Sequence, residues 1–124
     1  MTMLDANIIL RYLFDDNEEM AGKAAEYIED GNAVVSIEVI AEVIYVLKGV
    51  YSLERTDISR TITEFLKLVD CSDMNVLSLA VQTFGIENLD FVDCVLFAYH
   101  KERNMEIATF DKKLLKLLKT ADSE

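Results

Sequence analysis

The sequence predicts an α/β fold built around a mostly parallel sheet of short strands. Short apolar runs alternate with longer segments in which apolar residues recur at helical spacing, as in parallel sheets joined by helices. Pro is absent and Gly occurs four times, so we expect few long irregular loops and a chain dense with helices. A length of 124 residues, 52% of them hydrophobic, predicts a single domain over 1–124 with its own core.

The first half of the chain contains two predicted strands. Residues 2–4 form a very short strand that ends at Asp5, and 33–36 form a second one after a turn at 30–32. Between and after these strands, apolar residues at helical spacing predict helices over 7–14, 18–29 and 37–51.

The second half is predicted to hold more helix than strand. Thr56 or Asp57 is a suitable N-cap for a helix over 57–68. A strand over 106–110 is expected to run into Asp111 and the closing helix. The remaining predicted elements are a brief strand near 69–71 and helices over 75–84, 90–103 and 112–119.

Several acidic residues lie where strands end or helices begin. Ligands of open parallel sheets bind at the carboxyl ends of the strands. Asp5 and Asp111 each follow a predicted strand, and Glu42 lies two turns into the helix after the strand that ends at Ser36. We therefore expect these carboxylates to converge on one edge of the sheet.

Each acidic residue also has an ordinary structural interpretation. Asp5 and Asp111 are good N-caps, and Glu42 can belong to a narrow solvated stripe on its helix. Asp90 and Asp93 can cap a helix and complement its dipole, but Asp93 lies further in, beside apolar residues, and is the better ligand candidate. Together these acids predict a pocket for a hard cation, Mg²⁺ or Mn²⁺, because such ions prefer oxygen ligands.

The net charge of −11 is unfavourable for a protein that binds a polyanion. Residues 1–97 carry 6 basic and 18 acidic residues, whereas 98–124 carry 6 and 5. One interpretation is an acidic protein with a mixed-charge tail, which the charge alone favours. The other is that bound metal offsets part of the charge and that four lysines face the substrate: Lys112, Lys113, Lys116 and Lys119.

Neither export nor a membrane anchor is predicted. No apolar run reaches the roughly 18 residues of a membrane span, and the N-terminus lacks the basic start and apolar core of a signal peptide. We therefore expect a cytoplasmic protein in which Cys71 and Cys94 are free thiols and Cys94 belongs to the core. A zinc site is disfavoured because His100 is the one histidine, and we expect it to be partly exposed packing.

Four segments of the sequence resemble PIN-domain proteins, and the resemblance covers nearly the whole chain. The segments LDANIILRYL (4–13) and SIEVIAEVIYVL (36–47) are similar to the start of sequences in that family. The segments LDFVDCVL (89–96) and TFDKK (109–113) resemble its last two acidic motifs. The resemblance is closest to the VapC-type toxin nucleases of bacterial and archaeal toxin–antitoxin pairs.

The resemblance implies a three-layer α/β/α fold and an endoribonuclease that depends on Mg²⁺ or Mn²⁺. It implies that the catalytic, metal-binding carboxylates are Asp5, Glu42, Asp93 and Asp111. The residues that would orient or flank this cluster are Asn7, Thr109 and Asp90. It also implies an RNA substrate, a homodimer, and an antitoxin laid across the groove, for which we expect Arg or Lys to enter the carboxylate pocket. The departures from the family are Ala6, where Thr is more usual, a short C-terminal end and the strong acidity.

Two other functions compete with the nuclease. The fold can serve as a protein-binding scaffold with weak or no catalysis, which the charge of −11 suits. A phosphoacceptor receiver domain is also α/β with clustered acids, but it should have two adjacent acids after the first strand and a lysine after the last. Here Asp5 stands alone and Asp111 occupies the final strand end, so the receiver domain is disfavoured.

Overall fold

The fold is given by a computed structural model that describes residues 1–14 and 17–123. Most elements in these ranges are helices, and none of those helices has the length and apolar character needed to cross a membrane. The elements are β1 (Thr2–Met3), α1 (Ala6–Phe14), α2 (Glu18–Glu29), β2 (Ala33–Val34), α3 (Ile37–Gly49), α4 (Arg55–Leu66), α5 (Met74–Ile86), α6 (Phe91–Arg103) and α7 (Lys112–Asp122).

The two strands pair in parallel, as the sequence predicts. Their register sets Thr2 opposite Ala33 and Met3 opposite Val34. A further backbone hydrogen bond, from the amide of Leu4 to the carbonyl of Val34, is 3.0 Å long. The sheet is therefore a small parallel unit, and the helices carry most of the fold.

A third backbone segment extends the sheet by one residue. Asp70 forms a single parallel bridge with Val34, where a brief strand near 69–71 is predicted. Within the described residues the sheet is two strands wide plus this bridge. The architecture is consistent with an α/β fold, but it is mostly helical and does not separate into three clear layers.

The strand predicted over 106–110 is wrong. Residues 104–110 have no strand pairing, although their burial alternates: Ile107 and Thr109 are partly buried, and their neighbours are exposed. Ile107 packs against a small apolar cluster that α6 and α7 share. The buried side of this segment therefore packs on two helices, and its backbone forms no ladder of strand hydrogen bonds.

Helix α4 begins two residues earlier than predicted, so the N-cap prediction is wrong. The N-cap is Glu54, whose carbonyl accepts a hydrogen bond from the amide of Ile58 at 3.0 Å, and Thr56 and Asp57 lie inside the helix. The first helical residue, Arg55, bonds to three carbonyls at the end of α5 and in the α5–α6 connection, so a tertiary contact fixes where α4 starts. The other helix boundaries agree with the predictions to within three residues.

One main hydrophobic core joins the strands to helices α1 to α6. Its fully buried side chains include Ile9 of α1, Ile44 of α3 and Phe84 of α5. Cys94 of α6 is buried in the same core, as predicted, and this burial raises the pKa of its thiol to about 12. Cys71 and Cys94 are both free thiols, which confirms the prediction.

Helix α7 docks on α6 through a second, smaller cluster in which Leu114 packs against Phe97. The two helices are also linked near their C-terminal ends by His100. Its Nδ1 lies 2.8 Å from the carbonyl oxygen of Met105, and its Nε2 lies 2.6 Å from the carboxylate of Asp122. The prediction of partly exposed packing for this histidine therefore misses its role as a doubly hydrogen-bonded link between α6 and α7.

Candidate active site

An open cleft of about 550 Å³ lies beside the N-termini of α6 and α7. Its acidic lining comes from Asp90 and Asp93, at the start of α6, and from Asp111, the residue before α7. Four cationic side chains share the walls: Lys48, Arg55, Lys112 and Lys113. The cleft therefore brings together the two acidic motifs of the second half of the chain and surrounds them with positive charge.

Asp93 is partly buried, whereas the carboxylates of Asp90 and Asp111 are exposed. Burial raises the pKa of the Asp93 carboxyl, and the negative charges of Asp111 and Asp90 raise this pKa further. The negative charges of Asp90 and Asp111 therefore disfavour ionisation of Asp93. A cation bound among them would relieve that repulsion, and perturbed carboxyl groups in a cleft are characteristic of functional sites.

Asp111 is the N-cap of α7. Its Oδ1 accepts a hydrogen bond from the amide of Leu114 at 2.8 Å, and its own amide donates to Oγ1 of Thr109 at 3.0 Å. The capping interpretation is therefore right, but the cap uses one carboxylate oxygen and the side chain still lines the cleft. Thr109 fixes the backbone at Asp111, which suits the orienting role expected of it.

Asp90 occupies the N-cap position of α6, as expected, but it caps with its backbone. Its carbonyl accepts a hydrogen bond from the amide of Cys94 at 3.1 Å. Its side chain forms no capping hydrogen bond with the described part of the chain. The exposed carboxylate of Asp90 therefore contributes its charge to the cleft.

Arg55 organises the cleft, although the sequence analysis does not identify it. Its Nη1 donates to the carbonyls of Phe84, Glu87 and Leu89 at 3.2, 2.9 and 2.7 Å. Its guanidinium also lies 4.3 Å from the centre of the Phe84 ring. These contacts hold the α5–α6 connection against α4, directly before Asp90. No local sequence signal identifies this role, because Arg55 lies before the predicted start of the helix and its partners are about 30 residues further along the chain.

Lys48 is a second residue of the cleft that the sequence analysis misses. It lies in the last turn of α3, and its Nζ is 5.9 Å from the centre of the Phe84 ring. A cation in the last turn of a helix complements the helix dipole, so the sequence gives it an ordinary explanation. Its place in the cleft depends on how α3 packs beside α5 and α6, which only the tertiary structure shows.

Asp5 and Glu42, the two predicted metal ligands in the first half of the chain, do not line this cleft. Asp5 is exposed at the start of α1, where its Oδ1 accepts a hydrogen bond from the amide of Ile8 at 2.9 Å, so its capping interpretation is right. Glu42 is exposed on α3, and Asn7 is exposed in the first turn of α1. The lining of the cleft includes none of these three side chains. Asp90, Asp93 and Asp111 therefore share the cleft. The expected convergence of Asp5, Glu42 and Asp111 on one edge of the sheet stays a prediction.

The donor set of the cleft suits a hard divalent cation. Carboxylate oxygens are the ligands that Mg²⁺ and Mn²⁺ prefer, and Mg²⁺ usually keeps several of its waters. Among residues 1–14 and 17–123, however, no three acidic, histidine or cysteine side chains are grouped so that they could hold a metal ion. A cation in this cleft would therefore need water or substrate oxygens to complete its coordination.

The fold and the cleft together define an α/β domain with an acidic surface site that is chemically suited to divalent cations. The chain belongs to the PIN domain family, whose model matches residues 2–119. PIN domains are generally nucleases that typically use divalent metals and act on nucleic acid. Comparison with curated proteins and with solved structures gave no match to this chain.

Proposed function

We propose that this chain is an endoribonuclease that hydrolyses RNA phosphodiester bonds with Mg²⁺ or Mn²⁺, and that residues 1–124 form one domain. The observation that carries the proposal is the cleft lined by Asp90, Asp93 and Asp111. Burial and two acidic neighbours raise the pKa of Asp93, so its negative charge is disfavoured. A bound cation would stabilise that charge, as is common at functional sites. Membership of a family of metal-dependent nucleases supports the same chemistry.

The proposed metal ligands and catalytic acids come from four motifs. Asp93 and Asp111 line the cleft, and they are the members of the set with direct structural support. Asp5 and Glu42 enter the set because their motifs resemble those of the family. Asp5 caps α1 through Oδ1, so its second carboxylate oxygen remains for a cation. The proposed supporting residues are Asn7, Thr109 and Asp90.

The bound cation supplies an activated water and stabilises the negative charge that develops on the phosphate. The chain itself supplies positive charge for the substrate. Lys48, Lys112 and Lys113 line the same cleft as the carboxylates and can contact a phosphodiester. They offset part of the acidic field, which otherwise repels RNA. Arg55 keeps the α5–α6 connection in place and thereby positions Asp90.

The resemblance to VapC-type toxins leads us to propose a biological setting as well. In this setting the chain is the toxin of a toxin–antitoxin pair, acts in the cytoplasm and forms a homodimer. An antitoxin would be recognised through Arg or Lys side chains that enter the cleft and pair with its carboxylates. Co-purification with the product of a neighbouring gene tests the pairing, and a chain that is harmless when expressed alone would count against it.

A protein-binding scaffold with weak or no catalysis is the second candidate function. Two observations favour it: the net charge of −11, and the lack of a preformed three-residue metal group within the described residues. The two functions differ in metal affinity. Calorimetry that detects no Mn²⁺ binding at millimolar concentration would favour the scaffold.

Cleavage of a mixed, structured RNA tests the nuclease. We compare the wild-type chain with Asp93→Asn and with Asp30→Asn, a control that makes the same chemical change in an exposed turn outside the cleft. Each protein is assayed with Mg²⁺, with Mn²⁺ and with EDTA. We expect metal-dependent cleavage by the wild type and by Asp30→Asn. In Asp93→Asn the cleavage rate should fall about 100-fold or more, because even the loss of a residue that only supports a metal ligand costs up to that factor.

The possible results separate the two functions. If Asp93→Asn cleaved RNA as fast as the wild-type chain, Asp93 would not belong to the site. Cleavage that persists in EDTA would contradict metal dependence. If clean protein neither cuts RNA nor binds Mn²⁺, the scaffold becomes the better explanation.

A further inference from the structure

Phe110 is the most exposed of the large apolar side chains in the described residues, with a relative accessibility of 102%. The ring lies in the lining of the acidic cleft, directly before Asp111. A ring that is fully exposed contributes nothing to the core, so its apolar area is available to a binding partner. Its position beside the proposed active site indicates that this partner is the substrate.

The backbone on both sides of Phe110 is held in place. The hydroxyl of Thr109 accepts a hydrogen bond from the amide of Asp111, and the Asp111 carboxylate accepts one from the amide of Leu114, at 3.0 and 2.8 Å. The partly buried Ile107 packs inward on α6 and α7, while Phe110 faces solvent. The ring is therefore presented on an ordered support, which reduces the entropy that binding costs.

The charges beside the ring identify the chemistry of the partner. Lys112 and Lys113 follow in sequence, are exposed, and line the same cleft. Neither forms an ion pair with another described residue. An open aromatic face beside unpaired ammonium groups matches a nucleotide, because the ring can stack on the base while the cations contact phosphates.

We propose that Phe110 stacks on an unpaired base of single-stranded RNA and thereby places the adjoining phosphate in the cleft. The proposal rests on the nuclease function above and specifies the form of RNA that the site takes. In a duplex, the bases stack on one another and offer no free face, so the site should prefer single strands, loops and bulges. Phe110 binds substrate here and takes no part in bond breaking.

Binding of a fluorescent single-stranded RNA oligonucleotide, followed by anisotropy with Mg²⁺ present, measures this contact. All proteins carry Asp93→Asn so that the RNA stays intact. Phe110→Ala and Phe110→Leu remove the stacking face, Phe110→Trp keeps one, and Tyr27→Ala removes a half-exposed ring from α2, outside the cleft. Loss of one base–aromatic stack should weaken binding about 5- to 150-fold in Phe110→Ala, with a smaller loss in Phe110→Leu. Phe110→Trp and Tyr27→Ala should bind like the parent.

A second comparison uses cleavage by proteins that retain Asp93. Phe110→Ala should raise KM for a single-stranded substrate and leave kcat nearly unchanged, because the stack forms in the ground state as well as in the transition state. Because Phe110 is fully exposed, the alanine variant should keep the unfolding midpoint of the wild type, so a folding defect does not explain a loss of binding.

The outcomes distinguish this proposal from the nuclease proposal. Equal binding by Phe110→Ala and its parent, or no binding of single strands by either, overturns the stacking site, while metal-dependent cleavage lost in Asp93→Asn would still support the nuclease. Blunt duplex RNA that binds as tightly as single strands also overturns the stacking site. If the wild-type chain bound RNA through Phe110 but never cut it, the stacking proposal would stand and the nuclease proposal would fail.

Discussion

Replacing Arg55 with methionine should destabilise the protein strongly, because one nitrogen of this side chain serves three backbone carbonyls. Nη1 lies 3.2, 2.9 and 2.7 Å from the carbonyl oxygens of Phe84, Glu87 and Leu89. Methionine keeps an apolar stem about as long as the aliphatic part of arginine, so the substitution removes the guanidinium with its donors, its charge and its contact with the Phe84 ring. The carbonyls left behind belong to the end of α5 and to the connection that precedes Asp90.

The expected loss follows from the geometry. Nη1 carries two hydrogens, so two of the three bonds can be fully formed at once. A hydrogen bond to a charged group contributes about 1.5–3 kcal/mol, and a cation over an aromatic ring adds about 0.5–1 kcal/mol. Arg55 is partly buried, so water can replace part of each bond and the lower values apply. We therefore expect Arg55→Met to lower the free energy of unfolding by about 3–4 kcal/mol.

Urea denaturation followed by circular dichroism measures this loss. Arg60→Met is the matched control on the same helix, because Arg60 is exposed and pairs with Asp57 at 2.6 Å. An exposed pair of this kind contributes about 1 kcal/mol or less, so the control should lose little stability. The dependence of the free energy on urea concentration should stay unchanged in both variants, since neither changes the surface exposed on unfolding.

A loss below about 1 kcal/mol for Arg55→Met would refute this reasoning, because an unsatisfied buried carbonyl costs at least that much. The same conclusion follows if Arg55→Met and Arg60→Met lose equal amounts. In either case water would satisfy the three carbonyls as well as the guanidinium does. Arg55 would then not be the residue that holds the α5–α6 connection.

Two further substitutions test the ion pair between His100 of α6 and Asp122 of α7 and the contact between α4 and α5. The hydrogen bonds to the carboxylate of Asp122 and to the carbonyl of Met105 raise the pKa of His100 above its ordinary 6.5. Their contribution to the free energy of unfolding is therefore complete below pH 6.5 and is lost as the pH rises through the raised pKa. Asp122→Asn should therefore lower the free energy of unfolding at about pH 6 and have little effect at about pH 9, and equal losses at both would contradict a charged pair. Gly85→Ala places a Cβ 2.6 Å from the Cβ of Ser59 and should cost about 1–3 kcal/mol in urea denaturation. In a Ser59→Gly background the same change should cost almost nothing, and an undiminished loss there would show that this clash is not the cause.

The helices follow from the sequence because their signals are local. The apolar spacing predicts α2 over 18–29, which are the bounds in the structure, and Asn17 caps it with a hydrogen bond of 3.1 Å to the amide of Met20. The parallel pairing of β1 and β2 also follows, because two short apolar strands separated by helical segments cannot pair through a tight hairpin. The helices depend on residues within a few positions of one another, and the parallel pairing depends on the order of strands and helices along the chain.

Elements that depend on distant contacts were predicted less well. The segment 106–110 is predicted as a strand, yet Ile107 faces α6 and α7 and the backbone pairs with no strand. The start of α4 is set by Arg55, whose partners lie about 30 residues further along the chain. A short apolar segment can pack its side chains without pairing, and the available partner decides whether the backbone joins a sheet.

The sequence by itself determined the helices and the acidic candidates, because periodicity, caps and isolated acids are properties of neighbouring residues. The order of strands and helices along the chain determined the parallel strand pair. The tertiary structure decided which acids share a cleft: Asp90, Asp93 and Asp111 line it, and the exposed Asp5 and Glu42 do not. It also set the raised pKa of Asp93, which arises from burial and from the charges of Asp111 and Asp90, of which that of Asp111 approaches only when α6 and α7 dock. Electrostatic coupling depends on distance in space, and the chain fixes those distances only when its core has packed.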